Sequence, residues 1–282
     1  MADTTPQEPR IAIVTGAARG IGRSIAIRLA GDGLDVVIND IPTNEAELNK
    51  VAEEIRALGR RAVAFSGDVS VEDVVRDMVD TAVKELGGVD VMVANAGIAA
   101  MSSIVDMDVE KWDKIMAVNL RGPMLAYKYA GRQMIKQGRG GRLITASSIL
   151  GKQGGPNLSA YSATKFGVRG LTHSAAREFG VHKITANAYA PGLINTPMST
   201  SAGMKRPWLL QIKSTAQRYV IIVGTPQDDG DNGAILRKVM ANGNIRREEP
   251  EVVASLVSYL AKPEAHFITG QTIAVDGGVT FS

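Results

Sequence analysis

The hydrophobic positions of this chain form short runs that alternate with longer amphipathic stretches. The first run, at 10–15, is rich in β-branched residues, and apolar residues then recur at helical spacing at Ile21, Ile25 and Leu29. Strands separated by helices of such lengths are typical of a parallel sheet with right-handed crossovers and helices on both faces. The pattern therefore predicts an α/β, doubly wound Rossmann-type fold. Further strands are predicted at 34–40, 61–67, 89–94, 141–146, 184–190 and 272–275, and further helices at 45–58, 71–86, about 109–137, about 160–179 and 250–261.

The long helix predicted at about 109–137 contains the pair Gly122-Pro123. A proline inside a helix removes a backbone hydrogen bond and bends the axis. We therefore expect a kink here, with main-chain carbonyls near Asn119 free to bind water.

The alternation disappears at 199–249, which contains the loop sequence TPQDDGDNG. A segment this long and irregular inside a compact domain is usually a functional lid or a disordered insertion. Since it starts just beyond the predicted active-site edge of the sheet, we expect a substrate lid within one catalytic domain spanning 1–282. The alternative is a surface decoration with no catalytic role.

Composition narrows the classes of protein further. The chain of 282 residues contains no cysteine, which excludes disulfides, thiolate metal sites and thiol catalysis and is consistent with a reducing compartment. Its N-terminus is polar, and no apolar run reaches the roughly 18–20 residues needed to cross a bilayer. We expect a soluble cytoplasmic protein with no membrane partner and no metal.

The positive charge of the chain is weak evidence for nucleic-acid binding. The net charge of +3 arises from interspersed charges of both signs. A local cluster of four basic residues falls in a glycine-rich turn between a helix and a strand, where solvated loop charges are the simpler interpretation. We therefore predict no nucleic-acid partner. The cluster consists of Arg132, Lys136, Arg139 and Arg142.

A glycine-rich turn, TGAARGIG, joins the first strand to the first helix. In this context Gly16, Gly20 and Gly22 allow the backbone to turn tightly and to approach a pyrophosphate. The helix N-terminus adds free N–H groups and partial positive charge. The turn therefore predicts a dinucleotide cofactor.

Asp40 ends the second predicted strand, about 20 residues beyond the glycine turn, where an acid accepts hydrogen bonds from the adenosine ribose. It would repel a 2′-phosphate, so we predict NAD rather than NADP. Arg19, inside the turn, is the competing feature, since it could pair with that phosphate. The alternative for Asp40 is a turn residue that caps the next helix. Asp68, after the third strand, is placed to touch the adenine, to cap a helix, or both.

Tyr161 and Lys165 lie four positions apart on a predicted helix, which places both side chains on one face. A tyrosine with a pKa of about 10 is a poor base at neutral pH, and favouring its phenolate by about 3 units requires roughly 4 kcal/mol. A nearby cation can supply much of this energy. Tyr161 could then exchange a proton with an alcohol or a ketone. The alternative is an ordinary tyrosine and lysine on a surface helix.

Taken together, these motifs resemble the short-chain dehydrogenase/reductase family over almost the whole chain. The match is carried by TGAARGIG, Asp40, Asp68, the NAG of 95–97, Asn119, Ser148, Tyr161, Lys165 and the PGLINT of 191–196. The resemblance implies a seven-stranded parallel sheet. It also implies a homodimer or homotetramer built on the two long helices.

The resemblance further implies a role for each site residue. Tyr161 would be the general acid/base, and Lys165 would lower its pKa and hold the nicotinamide ribose. Ser148, rather than Ser147, would bind the substrate oxygen, and Asn119 would bind a relay water. Thr196 and the backbone of Ile194 would hold the carboxamide. The predicted cofactor contacts are Gly16, Arg19, Gly20, Ile21, Gly22, Asp40, Asp68, Val69, Asn95, Ala96, Gly97, Tyr161, Lys165, Pro191, Gly192, Ile194 and Thr196.

Within that family, several segments look most like acetoin/butanediol dehydrogenases and diacetyl reductases. The resemblance therefore implies an NAD(H)-dependent enzyme that interconverts a secondary alcohol and a ketone. Its substrate pocket is predicted to include Ser148, Ile149, Leu150, Tyr161 and Trp208, whose apolar members would also suit a larger hydrophobic alcohol such as a terpenoid. The alternatives are an NADP-dependent carbonyl or 3-oxoacyl reductase and a non-catalytic dinucleotide-binding protein.

Overall fold

A computed structural model describes residues 9–200 and 248–280 of the chain. These residues contain one sheet of seven strands, all parallel, which confirms the predicted doubly wound α/β fold. The strands are β1 (Ile11–Thr15), β2 (Asp35–Asp40), β3 (Ala62–Ser66), β4 (Val91–Ala94), β5 (Gly141–Ala146), β6 (Ile184–Pro191) and β7 (Thr272–Val275). Their order across the sheet is β3-β2-β1-β4-β5-β6-β7.

Helices cover both faces of this sheet. They are α1 (Gly20–Gly31), α2 (Glu45–Ala57), α3 (Glu72–Leu86), α4 (Val109–Met116), α5 (Gly122–Gln137), α6 (Ser159–Phe179), α7 (Pro197–Thr200) and α8 (Glu251–Ala261). One hydrophobic core lies under α1, α2 and α8, and the other lies under α3, α5 and α6. Because neighbouring strand residues point to opposite faces, Val14 packs in the first core and Ile13 in the second.

The helix predicted at about 109–137 is interrupted as expected. A π-helical turn at Ala117–Arg121 joins α4 to α5, directly before Pro123. Such π-turns occur frequently at functional sites, because they change which backbone groups are bonded inside the helix. The turn contains Asn119.

The chain reverses its direction of winding between β1 and β4, which are neighbours in the sheet. In a doubly wound sheet, ligands bind in the crevice beyond the carboxyl ends of the strands at this reversal. The glycine-rich turn follows β1, and the NAG motif follows β4. The fold therefore brings these two motifs to one crevice.

The interpretation of the basic cluster as solvated charges is wrong for Arg142. This residue lies inside β5, only 7% exposed, and its guanidinium donates to the carbonyls of Gly141, Lys262 and Pro263. Its neighbour Arg139 donates to the carboxylate of Asp90 at 2.7 Å. Both arginines stabilise loops at the amino ends of the strands, far from the crevice.

The predicted lid at 199–249 falls mostly on 201–247, which, with Trp208, lies outside the described residues. Its two flanks are described, and they meet in a parallel bridge between Ile194 and Glu248. The amide of Asn195 donates to the carbonyl of Glu248 at 2.8 Å. The chain therefore leaves and re-enters the described fold at one place, beside the carboxyl end of β6. None of the described helices is long and apolar enough to cross a membrane.

Candidate active site

The glycine-rich turn is shaped by positions where a side chain has no room. Gly16 and Gly20 have φ values of +65° and +56°, a conformation that other residues rarely adopt. A Cβ atom on Gly22 would lie 2.1 Å from the carbonyl oxygen of Gly16 and 2.5 Å from Nδ2 of Asn95. No side chain caps the N-terminus of α1, so its first N–H groups are available to an anionic group. The turn therefore suits the pyrophosphate of a dinucleotide.

The end of β4 is tied to this turn by side-chain hydrogen bonds. Nδ2 of Asn95 donates to the carbonyls of Thr15 and Gly16 at 2.8 and 3.2 Å. The Thr15 hydroxyl accepts hydrogen bonds from the amides of Asn95 and Ala96, each at 3.0 Å. Both the main-chain and the side-chain amide of Asn95, a predicted cofactor contact, thus donate their hydrogen bonds within the turn. Thr15 was not among the predicted residues, and its position directly before Gly16 was the available signal.

Asp40 is anchored to the same turn. One carboxylate oxygen accepts the amide of Ala18 at 3.0 Å, and the other accepts Ile41 N at 2.9 Å and Asn44 Nδ2 at 2.8 Å. The alternative of a helix cap is wrong, since α2 is preceded by Asn44 and has no side-chain cap. Arg19 is exposed, and its guanidinium forms no hydrogen bond or ion pair with the described residues. The carboxylate and the guanidinium therefore do not neutralise each other.

Asp68 lies beside Asp40, because the amide of Gly67 donates to the carbonyl of Asp40 at 2.9 Å. Its carboxylate accepts the amide of Ser70 at 2.9 Å, and α3 begins only at Glu72 without a side-chain cap, so the capping alternative is also wrong here. Val69 is buried next to Gly122, where a Cβ atom would lie 3.2 Å from the valine side chain. Contact of these residues with an adenine stays a prediction.

The predicted catalytic residues converge at the carboxyl ends of β4 and β5. The Ser148 side chain lies close enough to the phenol of Tyr161 to lower its pKa, whereas the hydroxyl of Ser147 donates to the carbonyl of Lys165 at 3.0 Å. Nζ of Lys165 lies 5.4 Å from the centre of the Tyr161 ring. The structure thus places Ser148, rather than Ser147, beside the phenol, as the sequence predicted.

Gly97 lies close to both Lys165 and Asn119. A Cβ atom on it would be 3.7 Å from Nζ of Lys165 and 3.4 Å from Oδ1 of Asn119. The side-chain amide of Asn119 accepts the amide of Ile98 and donates to its carbonyl, each at 2.8 Å. Nζ of Lys165 donates to the carbonyl of Ala146 at 2.8 Å. Burial of the ammonium lowers the pKa of Lys165 to about 8.

The pKa of Tyr161 shifts in the direction opposite to the prediction. Burial raises the pKa of Tyr161 above its ordinary value, and the hydrogen bond with Ser148 offsets only part of this shift. The predicted lowering by Lys165 is wrong for this arrangement, because the ammonium faces the ring and donates to a main-chain carbonyl instead of to the phenol oxygen. At neutral pH the phenol is therefore protonated and can donate.

The buried ammonium leads to a prediction about stability. Between the folded pKa of about 8 and the ordinary 10.5, the unfolded chain holds a proton that the folded chain has lost, so stability rises with pH. Lys165→Met removes this titration. Between pH 7 and pH 10 the free energy of unfolding of the unmodified protein should rise by about 2–3 kcal/mol more than that of the variant. Urea denaturation at both pH values measures the difference, and parallel pH profiles would contradict it.

An apolar cluster adjoins the phenol. Ile149, Leu150 and Leu158 form a buried cluster, and Met101, Tyr161 and Val279 pack against it. The sequence predicted the first two of these, and it missed Met101, Leu158 and Val279 because they lie in loops without periodicity. Val279 is held in a turn by Asp276, whose carboxylate accepts the amides of Gly278 and Thr280.

The PGLINT motif lies across from the glycine turn. A Cβ atom on Gly20 would be 3.2 Å from Cγ2 of Thr196, so this threonine closes the crevice from the far side. Pro191 is the last residue of β6 rather than a turn residue, and Gly192 donates its amide to the carbonyl of Val275 at 3.0 Å. Ile194 is buried beside them.

Comparison with known proteins agrees with this geometry. Residues 10–207 match the family model described as short chain dehydrogenase, and residues 221–280 match the one described as Enoyl-(Acyl carrier protein) reductase. The chain belongs to the short-chain dehydrogenase/reductase family. It is therefore an oxidoreductase, and the resemblance to this family that the sequence motifs indicated is confirmed.

Individual members of this family resemble the chain over nearly its full length. A short-chain dehydrogenase/reductase of Armillaria gallica is 49% identical and covers 100% of both chains. A diacetyl reductase, (S)-acetoin forming, of Staphylococcus epidermidis is 38% identical over 96% of this chain and 99% of its own. A blue fluorescent protein from a metagenomic library, solved in complex with NADPH, has a TM-score of 0.80 and is 31% identical over 96% and 98% of the two chains.

Proposed function

We propose that this short-chain dehydrogenase/reductase uses NAD(H) to interconvert a secondary alcohol and a ketone. The observation that carries the proposal is the close approach of Ser148 to the phenol of Tyr161, beside an apolar cluster and near the crevice formed by the glycine turn. A neutral phenol and a hydroxyl next to apolar side chains suit a carbonyl oxygen, which needs hydrogen-bond donors and a proton source.

In this proposal Tyr161 transfers the proton. Its raised pKa keeps the phenol protonated, which suits donation to a ketone oxygen; in the reverse direction the phenolate accepts the proton of the alcohol. The Ser148 hydroxyl binds the same oxygen and orients it. A bound nicotinamide supplies or accepts the hydride.

Lys165 would restore the proton of the phenol. Its pKa of about 8 lies close to neutrality, so the ammonium can give up a proton at low cost. The side chain of Asn119 is bonded at both ends to Ile98, so we propose that a relay water binds the main chain of the π-helical turn instead. Lys165 would also contact the nicotinamide ribose.

The remaining crevice residues would hold the dinucleotide along its length. The glycine turn and the first amides of α1 would bind the pyrophosphate. The adenosine end would lie against Asp40, Asp68 and Val69, and the nicotinamide end against the motif at 191–196. Ala96, with its single methyl group, and Gly97, which has no side chain, would lie along the cofactor between these ends.

Asp40 provides a prediction about cofactor choice. In Asp40→Ala the charge that would repel a 2′-phosphate is lost, so the ratio of kcat/KM with NADPH to that with NADH should rise by about 10- to 100-fold, the effect of one charged hydrogen bond. Steady-state kinetics with each cofactor measures the ratio. The matched variant Arg19→Ala should move the ratio in the opposite direction. A protein that prefers NADPH, with a ratio unaffected by Asp40→Ala, would contradict the NAD assignment.

A second candidate is an NADP-dependent carbonyl or 3-oxoacyl reductase. It is favoured by the exposed Arg19, which has no partner among the described residues, and by the NADPH bound to the metagenomic relative. The cofactor comparison above separates the two candidates.

The substrate experiment is a panel of secondary alcohols and ketones of increasing size, assayed with NADH and NADPH by nicotinamide absorbance. We expect turnover of ketones that carry at least one apolar substituent, because the side chains clustered beside Tyr161 are aliphatic. Dinucleotide binding without turnover of any compound would instead indicate a non-catalytic binding protein.

We also propose a homodimer or homotetramer. Apolar side chains are exposed on α5 at Met124 and Ile135 and on α6 at Phe166, which supports assembly through these two helices. Light scattering at several concentrations would measure the assembly state.

A further inference from the structure

Tyr189 is a buried residue of β6 that has no place in the proposed chemistry, and sequence analysis did not single it out. It has no exposed surface. Its hydroxyl donates to Oδ1 of Asn95 at 2.8 Å, although β6 and β4 are separated in the sheet by β5. Tyrosine side chains that are fully buried usually satisfy their hydroxyl, and here the partner lies at the glycine turn.

The side chain reaches across the intervening strand because the residue in its path is small. Tyr189 pairs in register with Ala146 of β5, whose side chain is a single methyl group. The carbonyl of the same alanine accepts the ammonium of Lys165. Ala146 thus pairs with Tyr189 in the sheet and accepts the hydrogen bond of Lys165 through its carbonyl.

The hydrogen bond from Tyr189 completes the set that holds the Asn95 amide in one orientation. An asparagine amide has two donor hydrogens and one acceptor oxygen, and both donors here serve the carbonyls of Thr15 and Gly16. The oxygen accepts the Tyr189 hydroxyl. A rotated amide would turn its oxygen toward two carbonyls, which is repulsive. The tyrosine donor therefore favours the one orientation in which Asn95 holds the turn.

The hydrogen bonds of Asn95 involve the same atoms that leave no room for a side chain at Gly22. The Gly16 carbonyl and Nδ2 of Asn95 are the two groups that a Cβ atom on Gly22 would strike. Burial raises the pKa of Tyr189 well above its ordinary value, so its hydroxyl stays a donor at every pH at which the enzyme can be assayed.

We propose that Tyr189 is a positioning residue whose hydroxyl fixes the Asn95 amide and, through it, the glycine turn, so that it sets dinucleotide affinity and not the rate of the chemical step. The inference rests on the proposed function only in that the turn binds a dinucleotide. Asn95 is the link between the tyrosine and the turn.

The test is Tyr189→Phe, with Tyr127→Phe as a matched control. Tyr127 is also buried, on α5 in the other core, and its hydroxyl lies beside Thr172, away from the glycine turn. Titration calorimetry with NADH and with NADPH measures the Kd. Steady-state kinetics gives kcat at saturating cofactor, and thermal unfolding checks the fold of each variant.

Tyr189→Phe should raise the Kd and KM for the dinucleotide about three- to tenfold, the range that one hydrogen bond supports, and leave kcat within about twofold. Tyr127→Phe should change neither. In an Asn95→Ala background the effect of Tyr189→Phe should vanish, because the link is absent.

An unchanged Kd in Tyr189→Phe, or a loss of kcat at saturating cofactor with Kd unchanged, would overturn the inference. Should Asn95→Ala fail to fold, the comparison of the two tyrosine variants still decides. An unmodified protein that binds no dinucleotide would refute both this inference and the proposed function. One that binds dinucleotide but converts no alcohol or ketone would refute the proposed function alone, and the binding measurements would still test Tyr189.

Discussion

Tyr161→Phe is expected to lower kcat by about 10²–10⁴-fold, the usual contribution of a general acid, while dinucleotide affinity stays within about twofold. The substitution removes only the phenol oxygen, which lies beside Ser148, while the ring still packs against the apolar cluster. The ring, which lies beside the Lys165 ammonium, is retained. Single-turnover kinetics at saturating cofactor and calorimetric titration of the dinucleotide measure the two quantities separately.

A matched control for this substitution is Tyr259→Phe on α8, where the tyrosine is 45% exposed and remote from the crevice. It should behave as the unmodified protein does. If Tyr161→Phe also retained the full rate, the phenol would not be the proton donor, and the proposed chemistry would be wrong. A loss of dinucleotide binding equal to the loss of rate would instead show that the hydroxyl serves binding.

Gly22→Ala is expected to weaken dinucleotide binding by about 10- to 100-fold, the effect of the 1–3 kcal/mol that overpacking usually costs. The new Cβ would lie 2.1 Å from the carbonyl oxygen of Gly16 and 2.5 Å from Nδ2 of Asn95, so the turn must open or the Asn95 amide must leave. Either movement displaces the groups that suit the pyrophosphate. Titration with NADH measures the loss.

Gly31→Ala is the matched control, since it introduces the same methyl group into the same helix. A Cβ atom there would meet no atom within 4 Å. Because alanine has the higher helix propensity, this variant should be as stable as the unmodified protein or slightly more stable, with unchanged affinity. Equal affinity in both glycine variants would show that the turn is not the dinucleotide cradle.

The sequence predicted the fold closely because the signal was periodic. The strand predicted at 34–40 is Asp35–Asp40, and the one predicted at 184–190 is Ile184–Pro191. Strands buried on both faces are short runs of β-branched and aliphatic residues, and the helices between them repeat at a different period, so their boundaries are sharp. The proline at 123 also indicated the irregular turn around Asn119.

The chemistry of the site was less accessible to prediction. The spacing of Tyr161 and Lys165 predicted that their side chains share one helix face. The direction in which the tyrosine pKa shifts depends on burial and on which group the ammonium donates to, and the spacing carries no information about either. Asn95 belongs to a motif typical of cofactor contact, yet its amide serves the turn. Val279 packs against the apolar cluster, but it lies in a C-terminal turn that no periodic pattern predicts.

The bridge between Ile194 and Glu248 bears on how the length of the chain between them can vary in evolution. Since the intervening stretch departs and returns at adjacent points, its length can change without separating the strand before it from the helix after it. The entropic cost of closing a loop grows only slowly with the number of residues. Related proteins can therefore carry inserts of different length between these two points and still share the same described fold.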